Sequence, residues 1–197
     1  MPPALNRERV LRAATASFLV DGYRSSVESI ARRAGVAKQT VYSHFPSKDE
    51  LFKEVARELA KRVLVQLESD SPDVRAALLR FAVAYRSRVL CPEGIAMFRT
   101  LVAEIPRFRT LARAIFAGGP GETARGLAAF LDKAMSAGRL RKDDPQFAAE
   151  LLLGMLVGHE RIKRVYGVAR FVNGGDAPHA TRIVDCFLRM YSSEGRS

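Results

Sequence analysis

Residues Gly35–Phe52 read GVAKQTVYSHFPSKDELF. Lys38, Gln39, Thr40, Tyr42, Ser43 and His44 crowd hydrogen-bonding side chains together before Pro46 stops the segment, and SKDE restarts a helix at once. A segment this polar is not a core helix, and one this short is not stable alone in water. A short helix rich in donors, held by its neighbours and presented outward, is what reading base edges requires.

Placed on a helical wheel at about 100° per residue, Val41 and Phe45 fall together, and Val36 can staple onto Val41 across the N-terminus. Gln39, Thr40 and Ser43 fall on the opposite side, with Tyr42 and His44 on the flanks. An outward Gln donates to and accepts from an adenine edge, while Tyr and His reach phosphate oxygens. Lys48 lies in the first turn of the following helix, where it and the free N–H groups can meet a phosphate. Ser25 and Ser26 can do the same at the start of the preceding helix. Side chains of these types on a lone helix ordinarily face solvent; their gathering around one short segment is what points to a groove.

The rest of the chain reads as helices punctuated by Pro, Gly and Ser, without persistent strand alternation. Helix one covers about Asn6 to Val20, with Val10, Ala14 and Phe18 on one stripe and Asp21-Gly22 at its end. Helix two opens at SSVE, where Ser25 and Glu28 have capping-box spacing, and Val27, Ile30, Ala31 and Ala34 form its inner face. Gly35 ends it. Helix three is Lys38 to His44. Helix four opens on a second capping box, Ser47 to Glu50, and runs to about Leu67. Later starts are expected at Ser71, Pro120 and Asp144-Pro145, each with Pro at the first helical position. Two short helices split at Pro106 fill the middle, and a last helix runs from about Thr181 to Tyr191. A short helix pair joined at AGVA with a third helix in front has the spacing of a helix-turn-helix.

Residues 9–52 resemble the DNA-binding domain of the TetR/AcrR family of bacterial transcriptional regulators. The stretches that carry the resemblance are RVLRAATASFLVDGY, SVESIARRAGVAKQTVY and YSHFPSKDELF. The resemblance implies an all-α protein: a three-helix DNA-binding domain at residues 1–50 and a larger helical effector-binding and dimerisation domain at 51–197. It implies phosphate contacts from Tyr42, His44 and Lys48, and recognition-helix contacts from Lys38, Gln39, Thr40 and Ser43. Two departures stand out. Ala37 replaces the usual Ser before helix three, which removes an N-cap worth about 1 kcal/mol. The turn GYRSSV is one residue short of the usual pattern, which leaves open whether Ser25 or Ser26 caps helix two and touches phosphate.

In the larger domain, Leu127, Phe130 and Leu131 line one side of a helix from Pro120 to Ala137. The next helix, PQFAAELLLGMLVG, is apolar nearly all round and carries Leu151, Leu152 and Leu156. Such a helix needs burial on every side. Either it lies wholly inside one chain, or a second copy covers it in a four-helix interface; the family resemblance implies a homodimer. Phe81, Tyr85, Met97, Phe98, Leu101 and Met155 are candidates for an apolar effector pocket, with Phe108 and Phe116 beside them, although such residues also build plain cores.

The 197 residues carry a formal net charge of +11 and are 48% hydrophobic, so an anionic partner and a real core are both expected. No cofactor or metal is expected: the three His residues, 44, 159 and 179, lack ligand-pair spacing, and no P-loop, HExxH or GxSxG occurs. The same absences argue against a helical enzyme. Cys91 and Cys186 show no pairing signature, and MPPALNRERV lacks the apolar core of a signal peptide, so a cytoplasmic site of action is expected. The apolar run LLLGMLVG is far short of a membrane span. The expected partners are double-stranded operator DNA, a small-molecule effector and a second copy of the chain. A repressor is the first expectation; an activator or a ligand-independent adaptor are the alternatives.

Overall fold

The structure is a computed structural model that describes residues 3–67, 73–105, 109–169 and 176–193. Among these there are ten α-helices and no strand. They are α1 (Pro3–Asp21), α2 (Val27–Ala34), α3 (Lys38–His44), α4 (Lys48–Leu64), α5 (Val74–Leu90), α6 (Pro92–Glu104), α7 (Arg109–Gly118), α8 (Pro120–Ser136), α9 (Pro145–Val165) and α10 (Asp176–Met190). Single 3-10 turns follow α1 (Gly22–Arg24) and α4 (Val65–Leu67).

Capping residues set most of the starts. The Ser47 hydroxyl accepts from the Glu50 amide before α4, Asp73 accepts from Ala76 before α5, and Asp144 accepts from Gln146 and Phe147 before α9. The expected capping box at Ser25 is corrected. Ser26 is the N-cap of α2 and accepts from Ser29, while Ser25 is buried and its hydroxyl donates to the Ser17 carbonyl. The 3-10 turn uses up Gly22–Arg24, so the cap falls one residue later. The expected helix start at Ser71-Pro72 lies outside the described residues, as does Pro106, and α5 takes Asp73 as its cap. The last helix begins at Asp176 rather than Thr181; Pro178 sits in its first turn, where a missing N–H costs nothing.

The chain packs as two compact units, each built from two chain segments. Unit 1 is Met1–Leu59 with Pro92–Pro120; unit 2 is Ala60–Cys91 with Gly121–Ser197. The division by packing therefore runs through α4 and returns α6 and α7 to the N-terminal helices.

Unit 1 closes around Val10, Phe18, Ile30, Val41, Leu51 and Phe52, all at most 3% exposed. Phe18 and Phe52 meet with ring centres 4.6 Å apart, and Tyr23 packs edge-on to Phe52 at 5.4 Å. Met97 and Leu101 of α6 lie against this same core. Each fully buried Leu, Ile or Phe contributes roughly 1.5–3 kcal/mol, which is what holds helices too short to persist alone.

In unit 2, α5, α9 and α10 pack together around Leu78, Phe81, Leu90, Leu152, Leu156 and Phe187, all fully buried. Arg75 of α5 grips Asp185 of α10 through both carboxylate oxygens, at 2.7 and 3.1 Å. The backbone of α9 is non-helical at Gly158, where the helix kinks. Buried Arg86 reaches this kink from α5. It donates to the Leu156 carbonyl and, at 2.6 Å, to Glu160, which also accepts from Arg164. Arg164 in turn donates to the Leu90 carbonyl at 2.6 Å. A buried guanidinium is tolerated only when paired in this way. No described helix is long and apolar enough to cross a membrane.

Candidate nucleic-acid interface

The site is built on α2 and α3. Gly35 ends α2 with φ at +64°, a left-handed conformation that glycine adopts without a Cβ penalty, and the Val36 amide closes the turn on the Ala31 carbonyl at 3.0 Å. A side chain here would also run into the Arg9 guanidinium, 2.6 Å from an ideal Cβ. The turn aims α3 so that Val41 and the following Phe45 are buried while Gln39 and Ser43 are exposed. Ala37 occupies the N-cap of α3 without any side-chain cap.

The remaining expected contact residues sit around this face. Thr40 and His44 are half-buried, and Tyr42 is 40% exposed. Ser43 donates to the Thr40 carbonyl at 2.9 Å, so its hydroxyl presents an acceptor outward. Lys38 is ion-paired with Glu28 of α2, and its ammonium lies 5.8 Å from the Tyr42 ring centre. That hydrogen bond, and then the charge, of Glu28 raises the Lys38 pKa, while the bond from Lys38 lowers that of Glu28. Ser26 is exposed, but its oxygen already serves the Ser29 amide. Ser25 is corrected as a phosphate contact: it is 5% exposed and turned inward.

Lys48 is half-buried at the start of α4 and lies over the Tyr23 ring, 4.2 Å from its centre. The Tyr23 hydroxyl donates to Asp49. Burial pushes the Lys48 ammonium below the ordinary lysine value, against the charges of Asp49 and Glu28. Burial, and then the bond to Asp49 and its charge, push the Tyr23 hydroxyl well above the ordinary tyrosine value. Tyr23 and Glu28 thus orient two of the cations. Neither follows from a helical wheel, because each reaches across to a different helix. Arg7 braces the assembly, donating to Glu54 at 2.8 Å with its guanidinium 5.3 Å from the Phe45 ring centre. The arrangement presents an exposed side-chain amide, flanking hydroxyl and cationic groups, and a buried back, a surface chemically able to meet base edges and phosphates.

The residues expected elsewhere fall into both units. Phe81 is fully buried in unit 2, with Tyr85 stacked on it at 5.8 Å and Met155 half-buried. Met97 and Leu101 belong to the core of unit 1, and exposed Phe98 is on the same helix. Phe116 is 64% exposed on α7, and Phe108 lies outside the described residues. Leu127, Leu131, Leu152 and Leu156 are corrected as dimer contacts. All four are fully buried in a single chain, so they have no surface left for a partner. Leu151 and Phe130 are half-buried, and Phe147, not singled out from the sequence, is 56% exposed. The apolar helix is therefore not enclosed on all sides: its exposed face also includes Gly154. No cluster of three or more metal-ligating side chains occurs among the described residues.

The family pattern described as bacterial regulatory proteins, tetR family, matches residues 10–55, and the AefR-like transcriptional repressor C-terminal domain matches residues 76–193. A TetR-family transcriptional regulator from Mesorhizobium loti, known from its crystal structure, is 30% identical, with 98% of this chain and 99% of that one covered and a TM-score of 0.78. The flavonoid-responsive regulator FrrA is also 30% identical, with 96% and 98% covered and a TM-score of 0.70. The uncharacterized HTH-type transcriptional regulator YhgD of Bacillus subtilis (strain 168) is 38% identical over 58 residues, which span 29% of this chain and 30% of that relative.

Proposed function

The chain belongs to the TetR family of bacterial regulatory proteins and is a DNA-binding transcriptional regulator, and from that premise we propose a homodimeric repressor that a small, mostly apolar effector releases from a pseudo-palindromic operator. The observation that carries the reading is the exposed Gln39 on a helix buried behind at Val41 and Phe45 and flanked by Tyr42 and Lys48. Gln39 reads a base edge, and Tyr42, His44, Lys38 and Lys48 hold backbone phosphates. Two such heads, one per subunit, meet half-sites about 34–36 Å apart.

The dimer forms through the exposed faces of α8 and α9, around Phe130, Phe147, Leu151 and Gly154. The effector binds in the larger domain, where Tyr85 and Met155 are the accessible apolar candidates. A flavonoid-responsive relative at 30% identity supports ligand control and makes flavonoids the first compounds to try. Effector binding releases DNA by moving the two reading heads out of register with the half-sites.

Selection of bound sequences from random duplex, followed by mobility shift with and without flavonoids, tests the reading. A palindrome bound tightly and released by ligand supports it; binding without sequence preference overturns it. DNA binding that no effector alters would favour an adaptor.

A further inference from the structure

Several surface cations among the described residues are matched by a carboxylate of the same chain. Arg7 and Arg57 share Glu54, Arg75 holds Asp185, Arg125 holds Glu122 and Arg141 holds Asp143. The groove between α1 and α2 gathers four arginines. It opens as two hollows of about 440 and 350 Å³ that share Arg32 and Arg33 of α2. Arg9 and Arg12 of α1 line the first hollow, with Ala13 and Ala16 between them and the α2 side.

The hollow exists because α1 presents small side chains along this stripe; larger ones at these positions would fill it. Arg9 donates to the Gly35 carbonyl at 3.4 Å, and Arg33 donates to the neutral Ser17 hydroxyl at 3.4 Å. Among the described residues no ion pair joins Arg12, Arg32 or Arg33 to a carboxylate, although Asp21 lines the second hollow. Collecting several guanidinium groups in one groove costs free energy through their repulsion, which an anion relieves. The guanidinium fork fits phosphate oxygens.

Location selects the anion. Gly35 lines the end of the first hollow, and Lys38, the first residue of α3, follows three positions later. The chain between them spans at most about 10 Å. The end of the hollow therefore lies within about 10 Å of the start of the reading helix. It is solvent-open, as suits a phosphate chain passing across it better than a small enclosed ligand.

We propose that the α1–α2 groove is a second phosphate site, which holds the backbone of operator DNA outside the half-site read by α3. The inference rests on the DNA-binding reading above.

The test uses the full chain and the palindrome selected from random duplex, prepared bare and with roughly one helical turn of scrambled flank on each side. Affinities are measured over a series of salt concentrations. Wild type should bind the flanked duplex about 10-fold tighter than the bare one. The R32A/R33A double variant should bind the bare palindrome like wild type but lose that gain, and its salt slope on the flanked duplex should fall by about 2, near 0.9 per phosphate. R32K/R33K, which keeps the charge, should retain most of the slope. The groove proposal fails if flanks add nothing for wild type, if R32A/R33A keeps the full gain, or if it weakens both duplexes equally. If wild type selects no sequence at all, the DNA-reading proposal itself fails and takes the groove with it.

Discussion

The ammonium of Lys48 lies 4.2 Å from the centre of the Tyr23 ring, and the same tyrosine's hydroxyl is tied to Asp49, the next residue of α4. The ring thus fixes where the first cation of α4 points before any DNA arrives. Cation–π contacts at partly exposed sites are worth about 0.5–2 kcal/mol. Lys48→Ala should weaken binding to every duplex alike and reduce the salt slope by about 1. Tyr23→Leu should give a smaller loss with the slope unchanged, since the charge stays but its aim is lost; Tyr23→Phe should lie between Tyr23→Leu and wild type. A Lys48→Ala protein with wild-type salt dependence would place that lysine away from the backbone.

Gln39 and Tyr42 separate base reading from backbone holding. Gln39→Ala should cost about 1–3 kcal/mol at one base pair of each half-site and relax preference there. Tyr42→Phe should weaken all sites by a common factor. Competition binding against a set of single-base operator variants distinguishes the two patterns, and an unchanged ranking of sites for Gln39→Ala rules out its role as the reader.

The kink of α9 makes stability acid-sensitive. Burial works to raise the Glu160 carboxyl, but hydrogen bonds from Arg86 and Arg164 and their charges outweigh it, so the group titrates below the usual carboxylate range. Glu54 is held down by Arg7 and Arg57 against burial in the same way. A carboxylate with a depressed folded pKa contributes stability that is complete above its unfolded value, about 4.3, and is lost as pH falls through the folded value. Urea unfolding followed at falling pH should show that loss. Glu160→Gln should lower stability at neutral pH by about 3 kcal/mol, because Arg86 is left buried without its counter-charge, and should flatten the acid limb. Identical acid limbs in the two proteins would show that another group is responsible.

Gly154 offers a clean probe of the proposed dimer. A Cβ there would meet nothing within 4 Å in a single chain, so Gly154→Leu should fold normally and even gain helix propensity. Placed against a second copy, the same side chain should hold the helices apart. Light scattering should report monomer, and operator affinity should fall. Phe147→Glu should do the same by setting a carboxylate in the contact. A Gly154→Leu protein that remains a well-folded dimer would move the interface elsewhere.

Ligand control carries a thermodynamic obligation. If an effector weakens operator binding by some factor, operator DNA must weaken effector binding by the same factor, typically about 1–3 kcal/mol. Calorimetric titration into free and operator-bound protein should give affinities in that ratio. Equal affinities would leave the ligand without a regulatory role.

The helix-turn-helix was legible because its rules are local. Gly35, Pro46 and Ser47 punctuate the chain, and a wheel separates Val41 from Gln39. Ser25 was misplaced because the cap depends on how many residues the 3-10 turn consumes, which tertiary packing decides. That Leu127, Leu131, Leu152 and Leu156 are covered by their own chain was illegible for a related reason. An apolar helix does not say which of its faces the parent chain covers, so Leu152 and Phe147 look alike in sequence and differ wholly in exposure. Pairings such as Lys48 with Tyr23 join side chains 25 positions apart, beyond the reach of any periodicity.

The interleaving of the two units has a consequence for synthesis on the ribosome. Residues through Leu59 include the whole reading head, yet unit 1 also takes Met97, Leu101 and Ile115 against its core. Those side chains emerge only after the first segment of unit 2 has been made. At about 5–20 residues per second, the nascent head waits several seconds with part of its apolar surface uncovered. The residues of the reading head are thus made well before all the side chains that close over their core. A chain released before α7 leaves that core open.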